Sequence, residues 1–201
     1  MQYIKRGRQY TFDGFEVTKF NSKAFDAAKK FAENADSKPL ALFGGTATGK
    51  THLLYAVKNM IEQNEPKLTV ILTTAAEMRT SLVNTLQNDG TAEQFREKYM
   101  QADVLLVDDI QELARKKAIQ NELILLFNWF YESGKRFMMT SSKKEANCGM
   151  RSRLVIRSFW GDFAVISKAY IHAQFPSDHG RTEIRKTLLE NGKYLIDNFE
   201  L

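Results

Sequence analysis

Cysteine, proline and histidine are scarce in this chain: one, three and three among 201 residues. A lone Cys148 closes no internal disulfide, and three widely spaced histidines make no zinc cluster, so a disulfide scaffold and a structural zinc module are both excluded. Long apolar runs are missing too. No stretch reaches the roughly 18 residues of a membrane span, and Met1-Gln2-Tyr3-Ile4-Lys5-Arg6 lacks the apolar centre of a signal peptide. Low-complexity tracts and repeats at solenoid periods are likewise absent. The expectation is a cytoplasmic protein with an inert Cys148, long enough for one full α/β domain and too short for a second large one.

Charge is mildly basic, formally +5, and unevenly placed. Lys135, Arg136, Lys143, Lys144, Arg151, Arg153 and Arg157 face only Glu145 in their stretch, while Lys5, Arg6 and Arg8 lie beside Tyr3 and Tyr10. Two readings stay open: solvated surfaces, or contact with phosphates of DNA or of a nucleotide held by a neighbouring subunit.

Against that background one string stands out. Gly44-Gly45-Thr46-Ala47-Thr48-Gly49-Lys50-Thr51 fits G-x-x-x-x-G-K-[ST] without a mismatch. Residues 39–43 before it read as a buried strand; residues 51–63 after it carry Leu53, Leu54, Val57, Met60 and Ile61 at helical spacing. In such a strand–loop–helix the loop N–H groups wrap a di- or triphosphate, helped by the positive helix end. Lys50 then neutralises the outer phosphates, and the Thr51 hydroxyl ligates Mg²⁺.

The remaining pattern alternates strand and helix, which predicts a parallel sheet covered on both faces. Residues 68–73 form the second strand. A helix over 75–86 closes at Asn88-Asp89-Gly90, and Thr91 with Gln94 makes a capping box for another helix to about Met100. This helix pair is an insertion, since a crossover needs only one. Strand 104–107 is wholly apolar and runs into Asp108-Asp109. A helix over 117–133, with Ile119, Leu123, Ile124, Phe127, Phe130 and Tyr131 on its buried stripe, ends at Gly134, and strand 137–140 leads into Ser141 and Ser142. Residues 147–160 resist assignment, 163–171 read as a strand, and Asp178 caps a final helix to about Glu190 before a helical tail.

A carboxylate at the C-terminal end of an apolar strand sits in the crevice where ligands bind, so Asp108 is the expected partner of Mg²⁺ and Asp109 the residue that orients the attacking water. A helix cap or turn is the alternative for the acid pair. Ser141 or Ser142 would sense the γ-phosphate from the strand lying between loop and acids, though a plain turn fits that dipeptide equally.

With those parts in place, the chain resembles the AAA+ ATPase module of the bacterial DnaA replication initiator family and its relatives among initiation regulators and helicase loaders. Tyr10-Thr11-Phe12-Asp13-Gly14-Phe15-Glu16-Val17 and Asn21 match the family's opening segment; Thr51-His52-Leu53, Gln94 to Tyr99 with Asp103, and Val104-Leu105-Leu106-Val107-Asp108-Asp109-Ile110-Gln111 continue the match. The resemblance implies a three-layer P-loop NTPase, an AAA+ core with a five-stranded parallel sheet flanked by helices over 10–190. Residues 1–9 would be a basic leading segment and 191–201 a tail or the start of a lid, the lid itself being absent or truncated. It implies ATP/ADP and Mg²⁺ as ligands, with Val17, Asn21, residues 44–51 and His52 around the nucleotide. Arg153, and second Arg157, would reach a neighbour's ATP. The insertion at 75–100 matches in position the element that builds filaments and touches single-stranded DNA, with Arg79, Arg96 and Lys98 as its basic candidates. Two departures from the family pattern are Ala47, where a glycine is usual, and Ser142, where an aspartate is typical.

The implied function is ATP-dependent self-assembly in replication initiation, with slow hydrolysis and a replicative helicase or initiator as possible partner. A helicase loader, a DnaA-related regulator, a small-molecule P-loop kinase and a module holding nucleotide only as a structural ligand are the alternatives.

Overall fold

The computed structural model describes residues 10–142 and 162–166. Five strands make one all-parallel sheet: β1 (Leu40–Gly44), β2 (Val70–Thr74), β3 (Val104–Asp108), β4 (Arg136–Ser141) and β5 (Asp162–Ile166), in the order β2-β3-β4-β1-β5. Helices α1 (Ser22–Glu33), α2 (Lys50–Asn64), α3 (Ala75–Gln87), α4 (Ala92–Met100) and α5 (Lys117–Glu132) flank it, and a short 3₁₀ turn spans Ile110–Leu113.

Strand alternation sorts the core into two layers. Leu40, Leu42, Val104, Leu106 and Met138 point to one face, where Ala24, Ala28 and Phe31 of α1 meet Leu53, Leu54, Val57 and Ile61 of α2. Ala41, Phe43, Leu105, Val107, Phe137 and Met139 point to the other, against Met78, Phe95, Tyr99, Leu123, Phe127 and Phe130 from α3, α4 and α5. β1 and β3, buried along nearly their whole length, are near-continuous apolar runs, as strands covered on both faces are.

Three features correct the sequence reading. Helix α1 has no counterpart in it, although Ala24, Ala28, Phe31 and Ala32 recur at helical spacing and are all buried. Tyr131 is not on the buried stripe of α5: it is 45% exposed and lies stacked along Phe127, while Gln120 and Leu126 take buried places. Lys135 and Arg136 are no phosphate-facing surface either. Lys135 caps the Ala102 carbonyl at 2.9 Å and pairs with Asp103 at 3.2 Å. Arg136 is buried, with its guanidinium donating to Glu65 Oε1 at 2.7 Å and to the Ala32 carbonyl at 3.3 Å. Both tie together the sheet edge opposite the phosphate loop. Asp103 does so too: it accepts from the Thr69 backbone N–H at 3.0 Å, and this bond, with Lys135 beside it, holds its carboxyl below the ordinary carboxylate range.

Helix ends follow capping chemistry. Thr91 and Gln94 form the expected reciprocal box at α4, and Thr74 with Glu77 forms a second one at α3. Gly134 ends α5 in the left-handed region (φ 64°), with the Lys135 N–H returning to the Phe130 carbonyl at 2.9 Å. At the end of α3 the left-handed residue is Asp89 (φ 58°), not its glycine neighbour; a Cβ on Gly90 would lie 2.7 Å from the Thr85 carbonyl oxygen. Asp89→Gly is therefore expected to raise unfolding stability by about 0.5–1 kcal/mol and Gly90→Ala to lower it by at least as much. Chemical denaturation of the two variants checks this; the opposite order would show that the turn closes on Gly90.

Candidate functional site

In this strand order, β4 lies between β1, which leads into the glycine loop, and β3, which carries the acid pair. The chain reverses direction across the sheet there, and the C-terminal ends of the strands open a crevice suited to a ligand. Gly44 ends β1 in register with Ile166 of β5 and has room for no side chain, a Cβ meeting the Ile166 carbonyl oxygen at 2.7 Å. Gly49 caps α2 with φ 93° and packs under the Phe15 ring, where a Cβ would come within 2.6 Å. Glycine is required at both positions. Helix α2 begins at Lys50 with no acidic residue in its first turn, so its N-terminal N–H groups and positive end remain for an anion.

Within the loop, Lys50 Nζ and Thr48 Oγ1 each donate to the Gly45 carbonyl at 2.8 Å. Thr46 is exposed, and Ala47, also exposed, takes the left-handed conformation (φ 60°) that the usual glycine adopts freely, a strain of about 1 kcal/mol.

The loop and the acids converge. Thr51 Oγ1 donates to Asp108 Oδ2 at 2.8 Å, across 57 residues of sequence. The other oxygen, Asp108 Oδ1, accepts from Thr140 Oγ1, which itself accepts the Asp109 backbone N–H at 3.0 Å. Thr140 is fully buried on β4 and carries the bond that sequence reasoning assigned to no residue. Its signal is a hydroxyl that follows the apolar residues 137–139, one position before the serines read as γ-phosphate sensors. Ser141 is buried in the strand; Ser142 follows it, its backbone N–H donating to Gln111 Oε1 at 2.9 Å. Asp109 is half-buried, left-handed (φ 55°), and accepts from Gln111 Nε2 at 2.9 Å.

Burial is the main force on Asp108, which is 5% exposed. It pushes the carboxyl above the ordinary carboxylate range, with the negative Asp109 alongside adding to the shift and the Thr140 and Thr51 hydroxyls and Lys50 opposing it. A desolvated carboxylate and a hydroxyl, side by side and facing a lysine-bearing loop, form a hard-oxygen donor pair of the kind Mg²⁺ takes alongside phosphate oxygens. Among the described residues no cluster of three or more His, Cys, Asp or Glu side chains is placed to hold a metal.

The opening segment lies along α2. His52 Nε2 donates to the Thr11 carbonyl at 2.8 Å, Asn59 donates to that of Tyr10 at 2.7 Å, and the His52 ring is flanked by Tyr10 and Phe15. Asn21 holds a local turn, donating to the Glu16 carbonyl at 2.9 Å and accepting from the Thr18 N–H at 2.7 Å, and Val17 within that turn is 49% exposed. Of the basic residues on the inserted helices, Arg79 is exposed; Arg96 forms a 2.6 Å ion pair with Glu122 of α5, and Lys98 donates to Ser81 at 3.1 Å above the Tyr99 ring. Arg153 and Arg157 lie outside the described residues.

The raised Asp108 carboxyl gives a signed expectation. Below about pH 4 it is protonated in both folded and unfolded chains. As pH rises, the unfolded chain ionises first, so this residue lowers stability progressively until the folded group ionises as well. Asp108→Asn, which still accepts from Thr140, should melt above the wild type at pH 7 by a few degrees, on the order of 1 kcal/mol, with the difference vanishing toward pH 4. Thermal melts across pH 4–8 test this; a gap independent of pH, or a lower melting point, would contradict the cause assigned to the shift.

A family model described as the bacterial DnaA ATPase domain matches residues 7–164. The chromosomal replication initiator protein DnaA of Thermotoga petrophila is 36% identical over 184 residues, 90% of this chain and 40% of that protein. Domain III of the Thermotoga maritima replication initiation protein DnaA superimposes with a TM-score of 0.77 at 34% identity, covering 92% of this chain and 75% of that one. A replication initiator DnaA bound to AMPPCP and single-stranded DNA gives a TM-score of 0.75 at 28% identity, over 96% and 65%. The chain spans about 40% of the length of the curated relative it matches. No helix among the described residues is long and apolar enough to cross a membrane. A phosphate loop bonded to the acid pair on an inserted-helix α/β core, and a family match over most of its length, make this chain a member of the bacterial DnaA ATPase domain family.

Proposed function

We propose that this domain binds and slowly hydrolyses Mg·ATP and uses the bound nucleotide to control subunit-on-subunit assembly on single-stranded DNA during replication initiation. The observation that carries the reading is the Thr51–Asp108 hydrogen bond, which places the phosphate-loop hydroxyl on the strand-end carboxylate. Lys50, the loop N–H groups and the α2 N-terminus take the charge of the β- and γ-phosphates. Thr51 and Asp108 would hold Mg²⁺, which when bound draws charge from the phosphate oxygens. Asp109, set beside Asp108 in a different backbone conformation, orients the attacking water.

Assembly and DNA binding are supported from other directions. Arg153 and Arg157 match the family segment that reaches a neighbour's nucleotide, and such arginines are worth about 10³–10⁵ in rate in related nucleotidases. The similar DnaA structure that holds AMPPCP also holds single-stranded DNA. On the inserted helices Arg79 is the favoured phosphate contact here, because Arg96 and Lys98 already have partners within the fold. A replicative helicase or a second initiator is the partner class such an assembly would meet.

Lys50→Ala should weaken ATP binding by about 10- to 100-fold, the loss of one charge-assisted contact or two. Asp109→Asn should bind ATP as the wild type does and turn it over about 100-fold more slowly. Calorimetry and single-turnover conversion measure the two; unchanged turnover in Asp109→Asn removes that residue from the mechanism. For the nucleic acid, a thymidine oligonucleotide should bind more tightly with a non-hydrolysable ATP analogue than with ADP, and less tightly as salt rises. Equal binding in both nucleotide states at low salt would leave an ATPase without the initiator's switch.

A further inference from the structure

Gln111 occupies a place that the phosphate chemistry does not require of it. It sits in the 3₁₀ turn Ile110–Leu113, which is pinned by the buried side chains of Ile110 and Leu113. Its own amide points back into the site. Nε2 donates to Asp109 Oδ1 at 2.9 Å, and Oε1 accepts the Ser142 backbone N–H at 2.9 Å. The partners determine that orientation: turned over, the amide would set its oxygen against a carboxylate and its NH₂ against an N–H. A group with a donor at one corner and an acceptor at the other serves both, and the glutamine carboxamide offers the two on one planar end.

We propose that Gln111 is a positioning residue that locks the Asp109 carboxylate to the backbone at the end of β4, so that the water-orienting acid and the chain at Ser142 move as one unit. This rests on the reading of Asp109 as the residue that orients water. Asp109 needs such a support. Its backbone is held in the left-handed region (φ 55°), and its N–H is already bonded to Thr140. With Oδ1 held by Gln111, Oδ2 has no hydrogen-bond partner among the described residues and is the oxygen that would meet water. Because Ser142 directly follows the last residue of the strand between loop and acid pair, a phosphate that shifts the chain there shifts the Gln111 amide and, through it, the carboxylate.

Two variants separate the bonds. Gln111→Met keeps length and packing and loses both; Gln111→Glu keeps an acceptor for Ser142 but cannot donate to Asp109. Measured on the 201-residue chain, ATP affinity in both should stay within about threefold of wild type. Single-turnover conversion of bound ATP should fall at least about tenfold in both, as for a misplaced catalytic group. Hydrogen exchange at the Ser142 amide should quicken in Gln111→Met and remain slow in Gln111→Glu. The inference is overturned if either variant converts ATP at the wild-type rate, if affinity and conversion fall in equal proportion, or if the Ser142 amide exchanges alike in all three proteins. Should Gln111→Met not fold, Gln111→Glu decides through the same readouts. A wild type that binds ATP and never converts it removes the Asp109 reading and this one together; a wild type that converts it alongside an unimpaired Gln111→Glu removes this one alone.

Discussion

A single hydrogen bond, from the Thr51 hydroxyl to the Asp108 carboxylate, joins the two halves of the site, and the fold is arranged so that it can form. The loop leaves β1 and the acid pair leaves β3, strands that are not neighbours; β4 separates them and supplies Thr140 to the second oxygen of the same carboxylate. Parallel pairing on both sides of β4 brings all three strand ends to one edge. The buried layers on either face keep them there. Without the crossover from β1 past β4 and β3 out to β2, the loop and the acids would sit on separate elements with no common ligand.

Stability is given up at this edge in several small amounts. Asp108 is an ionisable group in an apolar strand, Ala47 and Asp109 are non-glycine residues with positive φ, and the N-terminus of α2 has no acidic side chain to offset its positive end. Each costs on the order of 1 kcal/mol or less. The opposite edge of the sheet shows the contrary design. There Asp103, Lys135, Arg136 and Glu65 bond to one another and to backbone carbonyls, and their charges are used to fasten strand starts rather than to meet a ligand. The same residue types serve structure at one end and chemistry at the other.

This division explains which parts were legible in the sequence. The phosphate loop, the apolar strand before Asp108 and the Thr91–Gln94 box are local patterns, and all three appear where the residues put them. Long-range partners are not local. Arg136 reads as one more cation in a basic stretch until β4 carries it inside, and Arg96 reads as a free surface charge until α5 presents Glu122. Thr140 is hidden for a similar reason: it is one of three hydroxyl residues in succession, and only the fold, which brings its hydroxyl to Asp108, marks it out. Helix α1 differs: its period is visible in Ala24, Ala28, Phe31 and Ala32, yet no element is assigned there from sequence.

The most direct measurement is a double-mutant cycle on Mg·ATP affinity, using Thr51→Val, Asp108→Asn and the pair. Two groups that share one cation should lose it largely once, so the effects should fall short of additivity by more than about 1 kcal/mol. Strict additivity would mean that the hydroxyl and the carboxylate serve separate ends, and that their 2.8 Å contact has no part in binding nucleotide.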